Sequence, residues 1–240
     1  MKARGLNANQ LKLFVVFGMM IDHAAWLLWP GYDYFWAAIL CHTITRPGTT
    51  IMWFFIAEGY FHTKDLRKYI LRLAVCALVS HFAFTFAWGI PVIPFTNGFL
   101  NQTSVIVGLL CGLLMLVVAD SESIPLWEKI LLISGLCLVS VPADWSCIAP
   151  LAILMVGRNR GSFRKQMSWM ALFIVLYSVI LFIFADRVYA LIQLAALFSI
   201  PLLKCYNGEP GKQWWMRWLF YSFYPLHLAV IGIIRVLIEG

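Results

Sequence analysis

Charge is scarce in this chain. Of its 240 residues only 12% are charged, and the 11 acids are outnumbered by 18 Lys and Arg. A soluble domain carries about a quarter charged residues, so an ordinary water-facing surface is excluded. No polar stretch is long enough to form a separate soluble domain. The six cysteines (Cys41, Cys76, Cys111, Cys137, Cys147, Cys205) form no CxxC pair and sit mostly in apolar runs, which reads as small core residues rather than a redox or zinc motif. There is no glycine-rich phosphate loop, no GxSxG and no HExxH. Internal repeats and low-complexity segments are missing too. The first apolar run is followed by Trp26, Trp29, Pro30 and Tyr32 rather than a small-residue cleavage site. It is therefore expected to remain as a helix and not to be removed as a signal peptide.

What remains is hydrophobicity: 62% of residues are apolar and the mean hydropathy is +0.83. This predicts an all-α fold, a polytopic transmembrane helical bundle of about nine spans (roughly eight to ten). One integral-membrane domain is expected over residues 1–240. The net charge of +7 lies in short loops, where it sets topology rather than contacting nucleic acid. The runs predict helices at Lys12–Trp29, Thr49–Phe61, Tyr69–Trp88, Thr103–Ala119, Glu128–Val141, Trp145–Val156, Met167–Ala185, Val188–Leu203 and Trp214–Ile238. The fifth and sixth are short and need tilt, burial or local thinning. Arg46-Pro47-Gly48 separates Phe35–Thr45 from the second helix, because proline breaks the helical ladder; whether that leading segment dips into the membrane stays open. With the N-terminus in the cytoplasm, all 18 Lys and Arg except Arg46, Arg187 and Arg235 fall on the inner side. That asymmetry supports an odd number of crossings.

Few ionisable groups lie inside the runs. Asp22 and His23 are adjacent in the first helix, about 15 Å from Lys12 at helical rise, or half of a roughly 30 Å hydrocarbon core. A charge there costs at least about 2.5 kcal/mol, more than packing justifies. His81 and His227 come to a similar depth from two other helices. Glu58 and His62, four apart, share a face near the inner end of the second helix. Each has a plainer reading. His81 fits a hydrogen-bonded packing histidine, His62 an interfacial residue, and Glu58 a counter-ion for Arg46 or a loop lysine. His42 has little polar context and reads as structural, and Asp144 as an interfacial cap. An imidazole beside a carboxylate can take a proton from an attacking hydroxyl or amine, or carry an acyl group itself. Neighbours on a helix are 100° apart, so Asp22 is expected to hold a cation or backbone group while another carboxylate orients His23.

Four segments in order carry a resemblance: MMIDH at Met19–His23, Thr45-Arg46-Pro47 with FFIAEGYFHT at Phe54–Thr63, KYILRL at Lys68–Leu73, and FYSFYPLHL at Phe220–Leu228. Together they resemble the TraX family, whose plasmid-borne members acetylate the N-terminus of conjugative pilin, and which is similar to the integral-membrane acyltransferases. The resemblance implies transfer of an acetyl group from cytoplasmic acetyl-CoA, or another acyl-CoA, to an acceptor at the outer face of a bacterial cytoplasmic (inner) membrane: a pilin N-terminus, a glycan, or another amine or hydroxyl. It implies His23 as catalytic histidine, with Asp22, Glu58 and His227 beside it, and Arg46 before the second span. The basic inner face, including Arg72, Arg158 and Arg160 with His62 close by, suits the donor's phosphates; topology alone also accounts for those charges. No metal is expected.

Two other classes compete. A proton-coupled transporter would use Asp22, Glu58 and the intramembrane histidines as a relay, although no repeat of the kind many transporters carry is seen. A metal site from His23, His81, His227 and Asp22 would suit zinc or iron, although no two histidines lie four apart on one helix.

Overall fold

A computed structural model describes residues 5–96, 98–213 and 215–239. Lys2 and Arg4, counted above toward orientation, and Trp214 lie outside the described residues. Regular structure among the described residues is helical: α1 (Ala8–Leu28), α2 (Trp36–Thr45), α3 (Pro47–His62), α4 (Leu66–Trp88), α5 (Val105–Asp120), α6 (Leu126–Ser140), α7 (Ile148–Arg158), α8 (Phe163–Phe184), α9 (Arg187–Gln193), a 3₁₀ turn (Leu194–Phe198), α10 (Ser199–Lys204) and α11 (Met216–Glu239).

Local chemistry sets the helix ends. Asn7 accepts from the Gln10 N–H at 3.0 Å while Gln10 Oε1 accepts from the Asn7 N–H at 2.9 Å, a reciprocal cap that starts α1. Asp65 caps α4 through the Lys68 N–H at 3.0 Å, and that bond holds its carboxyl below the ordinary value. Gly89 ends α4 at φ 62°, a conformation glycine adopts without a Cβ clash. Arg46 lies between α2 and α3, and Pro47 takes the first position of α3, where its missing N–H leaves no bond unmade. The expected helix at Val188–Leu203 is divided by the 3₁₀ turn. Pro201 cannot donate to the carbonyl four residues back, and the tighter turn lies just before it.

The chain forms two compact units. The first comprises Met1–Met52 with Ile174–Phe223. In it α1 packs on α2, and α2 on α9 and the 3₁₀ turn. One stripe of α1, Leu11, Val15, Gly18 and Ala25, is buried, while Phe14, Phe17, Met20 and Ile21 face outward. The second unit comprises Trp53–Phe173 with Tyr224–Gly240. There α5 is central, packed on α4, α6 and α7, with Leu109, Leu113, Met115, Leu116 and Ile153 buried.

Among the described residues, five helical stretches are long and apolar enough to cross a membrane: Ala8–Leu28, Leu66–Trp88, Phe163–Phe184, Arg187–Lys204 and Trp218–Glu239. Nine crossings would also need α3, α5, α6 and α7, which have 16, 16, 15 and 11 residues. At helical rise these reach only roughly 16–24 Å, less than a bilayer core of about 30 Å.

The α5–α7 pair is held close by glycine. A Cβ on Gly112 would stand 2.6 Å from Ile153 Cδ1 and 2.8 Å from its branched Cβ. Gly112→Ala is therefore expected to destabilise the protein by about 1–3 kcal/mol, read as a lower Tm in detergent. An unchanged Tm for Gly112→Ala would contradict this packing.

Candidate functional site

The inward stripe of α1 carries Asp22 between Gly18 and Ala25. Three donors from α2 and its end meet one of its oxygens, Oδ1. The Arg46 guanidinium pairs with it, Thr45 Oγ1 donates at 2.8 Å, and His42 Nδ1 lies at 2.9 Å. His42, Thr45 and Arg46 are spaced i, i+3 and i+4, so one face of α2 presents all three. Arg46 is fixed further by its Nε donating to the His42 carbonyl at 3.1 Å. A carboxylate oxygen that pairs with a guanidinium and accepts from a hydroxyl is in its ionised form. His42 then donates through Nδ1, which leaves the lone pair on Nε2.

His42 is fully buried and its Nε2 has no hydrogen-bond partner among the described residues. Its ring lies against Trp26, one helical turn beyond Asp22, at 4.7 Å between centroids, and against Tyr189 of α9 at 5.5 Å. Tyr32 closes the group, 6.3 Å from Trp26 and 5.0 Å from Tyr189. The Tyr189 hydroxyl donates to the Asp33 carbonyl at 2.8 Å, and Tyr34 donates to Asp186. Burial raises the Asp186 carboxyl, but the Tyr189 N–H and the Tyr34 hydroxyl outweigh it and hold the group below its ordinary value.

A second cluster lies in the other unit. Glu58 accepts from Arg160 Nε at 3.2 Å and Nη2 at 3.4 Å. His62 Nε2 lies 3.1 Å from Glu58 and 3.0 Å from Arg160, and Arg160 also sits 4.9 Å from the Phe61 ring centre. Arg158 meets Asp120 at 3.7 Å. Arg72 on α4 has a buried Nε without a hydrogen-bond partner among the described residues. A cavity of about 470 Å³ is lined by Arg164, Lys165, Ser168, Trp169 and Leu172 of α8.

The remaining sequence candidates are placed as follows. His23 is half-buried on the neighbouring face of α1, so the imidazole bonded to Asp22 is His42 of α2. His227 stands edge-on to Tyr224 at 5.3 Å on α11. His81 spends both ring nitrogens on packing bonds, to Thr103 Oγ1 and the Val92 carbonyl, each at 2.8 Å. Glu58 neutralises Arg160 rather than Arg46 or a loop lysine. Among the described residues, no three His, Cys, Asp or Glu side chains group as metal ligands would.

Apolar helices long enough to cross a bilayer, holding an ion-paired carboxylate with a bound imidazole, define a helical membrane protein with a polar site in its interior. The chain matches the TraX protein family over residues 7–235 and belongs to it. It is similar to a probable fimbrial assembly protein FimC, serogroup H1, of Dichelobacter nodosus, at 28% identity over 237 residues, 94% of each chain. No solved structure matches it significantly.

Removing Asp22 alone strands a guanidinium. Asp22→Leu is expected to cost about 3–5 kcal/mol, while Asp22→Leu with Arg46→Leu should recover most of that. Thermal unfolding of both variants in detergent measures it. Equal Tm values for the single and double variants would mean that the pair is not coupled.

Proposed function

We propose that this chain is an integral-membrane acyltransferase that moves an acetyl group from cytoplasmic acetyl-CoA to an amine or hydroxyl of an acceptor at the outer face of a bacterial inner membrane. The observation that carries this reading is the convergence of Arg46, His42 and Thr45 on Asp22 Oδ1. A charge kept at that depth in an apolar helix is costly unless it serves a site. Family membership supports the same reading, and the fimbrial name of the relative supports a pilin-like protein as acceptor. The proposed topology is nine crossings with the N-terminus in the cytoplasm.

In this mechanism His23 handles the acyl group, as base or as carrier, next in sequence to the Asp22–Arg46 pair. Glu58 and His227 are proposed as accessory groups on the family's sequence pattern. The donor's phosphates and diphosphate need cations at the inner face. Arg72, with its unspent Nε, is one such cation. Arg158 and Arg160 are others, and they would exchange Asp120 and Glu58 for phosphate, aided by His62. Arg164 and Lys165 beside Trp169 offer charge next to a stacking surface.

The test is calorimetric binding of acetyl-CoA and CoA to detergent-purified protein, alongside transfer to an acceptor. Wild type should bind both. His23→Ala should keep that binding and the fold yet lose transfer by about 100-fold or more. A folded His23→Ala protein with full transfer would remove His23 from the chemistry. Folded wild-type protein that binds neither nucleotide would shift the assignment to proton-coupled transport by Asp22, Glu58 and the histidines.

A further inference from the structure

A second imidazole at the Asp22 site is unaccounted for by that reading. His42 is wholly buried, its Nδ1 is fixed on Asp22 at 2.9 Å, and its Nε2 has no partner. An unmade hydrogen bond on a buried group costs about 1–3 kcal/mol, and rotating the ring to satisfy Nε2 would forfeit the bond to Asp22. The rings around it form a graded path. Tyr189 and His42 are buried, Trp26 is half-buried, and Tyr32 is 45% exposed. Successive centroids lie 5.0–5.7 Å apart from Tyr32 through Tyr189 and Trp26. With His42 wholly buried among these rings, access to Nε2 requires a side chain to move. Tyr32, the most exposed, lies in the short connection between α1 and α2, next to Gly31 at φ 81°.

We propose that His42 is a catalytic residue for the acceptor half of the transfer, with Asp22 as its positioning residue and Tyr32 as the ring that admits the acceptor. This rests on the acyltransferase reading. In the donor half His23 attacks the thioester carbonyl, the C–S bond breaks and the thiolate leaves. The acceptor's amine or hydroxyl, written X–H, then attacks the acetyl carbonyl on His23. The X–H proton passes to His42 Nε2, the X–C bond forms, and the C–N bond to His23 breaks with its electron pair returning to that imidazole. The proton then leaves His42 for the thiolate, so acetyl-X and CoA thiol are the products. Asp22 stabilises the imidazolium formed between the two proton transfers, as a buried carboxylate does for a catalytic histidine.

The experiment is acetyl transfer from acetyl-CoA to a synthetic peptide with a free N-terminus and to a sugar with free hydroxyls, by full-length protein in detergent. His42→Gln should lose at least about 100-fold in kcat with the acetyl-CoA KM unchanged, and His42→Ala should regain transfer on addition of free imidazole. His42→Gln within tenfold of an active wild type overturns the assignment and leaves the acyltransferase reading standing. Wild type that neither binds acetyl-CoA nor acetylates either probe overturns both. If the variants do not fold, or the wild type binds acetyl-CoA but acetylates neither probe, ¹⁵N-histidine spectra of the wild type decide. Protonated Nδ1 with a lone pair on Nε2, lost in Asp22→Asn, supports the proposal; a protonated Nε2 overturns it.

Discussion

The interaction on which the first unit depends is the pairing of Asp22 with Arg46. Either charge alone would be expensive in helices of this apolarity. Together they are neutral, and Thr45 and His42 supply the further hydrogen bonds that a buried ion pair needs. Such pairs contribute little net stability, since desolvation costs several kcal/mol per ion. What this one contributes is specificity. Apolar side chains surround α1, so packing alone distinguishes its faces weakly. Asp22 turns one face toward α2. Gly18 on that face lies within van der Waals reach of Thr45, and Gly48 of Val15. Small residues at such contacts let membrane helices approach closely. Rotating α1 by one residue would carry Asp22 away from Arg46 by 100° and leave both charges unmatched.

Much of the helical order was legible because apolar runs bounded by polar or Pro/Gly segments mark helices almost regardless of context. The break at Arg46-Pro47 and the shortness of α6 and α7 were legible for the same reason. Depth could be counted from helical rise, but rise carries no information on which way a side chain points. Counting puts His81 level with Asp22 and His23, but its plainer reading, a hydrogen-bonded packing histidine, matches its bonds to Thr103 and the Val92 carbonyl. His42 reads as structural because its sequence offers little polar context. The signal that would have found it was present: His42, Thr45 and Arg46 put three polar groups on one face of a ten-residue apolar helix, and such a face needs a charged partner. The Glu58–His62 contact was readable from its spacing of four. The third member, Arg160, stands 102 positions away and only tertiary structure brings it there.

The two charged clusters differ in burial, and burial separates their chemistry. Asp22 and Arg46 are 15% and 12% exposed, so neither can release the other without leaving an uncompensated charge. That rigidity suits a group that must hold an imidazole in one orientation through proton transfer. In the other unit Glu58 is 15% exposed, as Asp22 is, but its partners His62 and Arg160 are 60% and 39% exposed. The cations of this cluster therefore face water, and an arriving anion can reach Arg160 without first unpacking it. An arginine that exchanges a carboxylate for a phosphate keeps the same bidentate geometry. A donor-binding surface needs partners of that exchangeable kind, because the donor must also leave after each turnover. A site that is unchanged after each turnover needs the opposite. The sequence places its least replaceable ion pair on the helix that carries His23 and beside His42, and its replaceable ones among the arginines of the basic segment after α7. Burial thus separates a fixed pair between α1 and the end of α2 from cations that face water in the other unit.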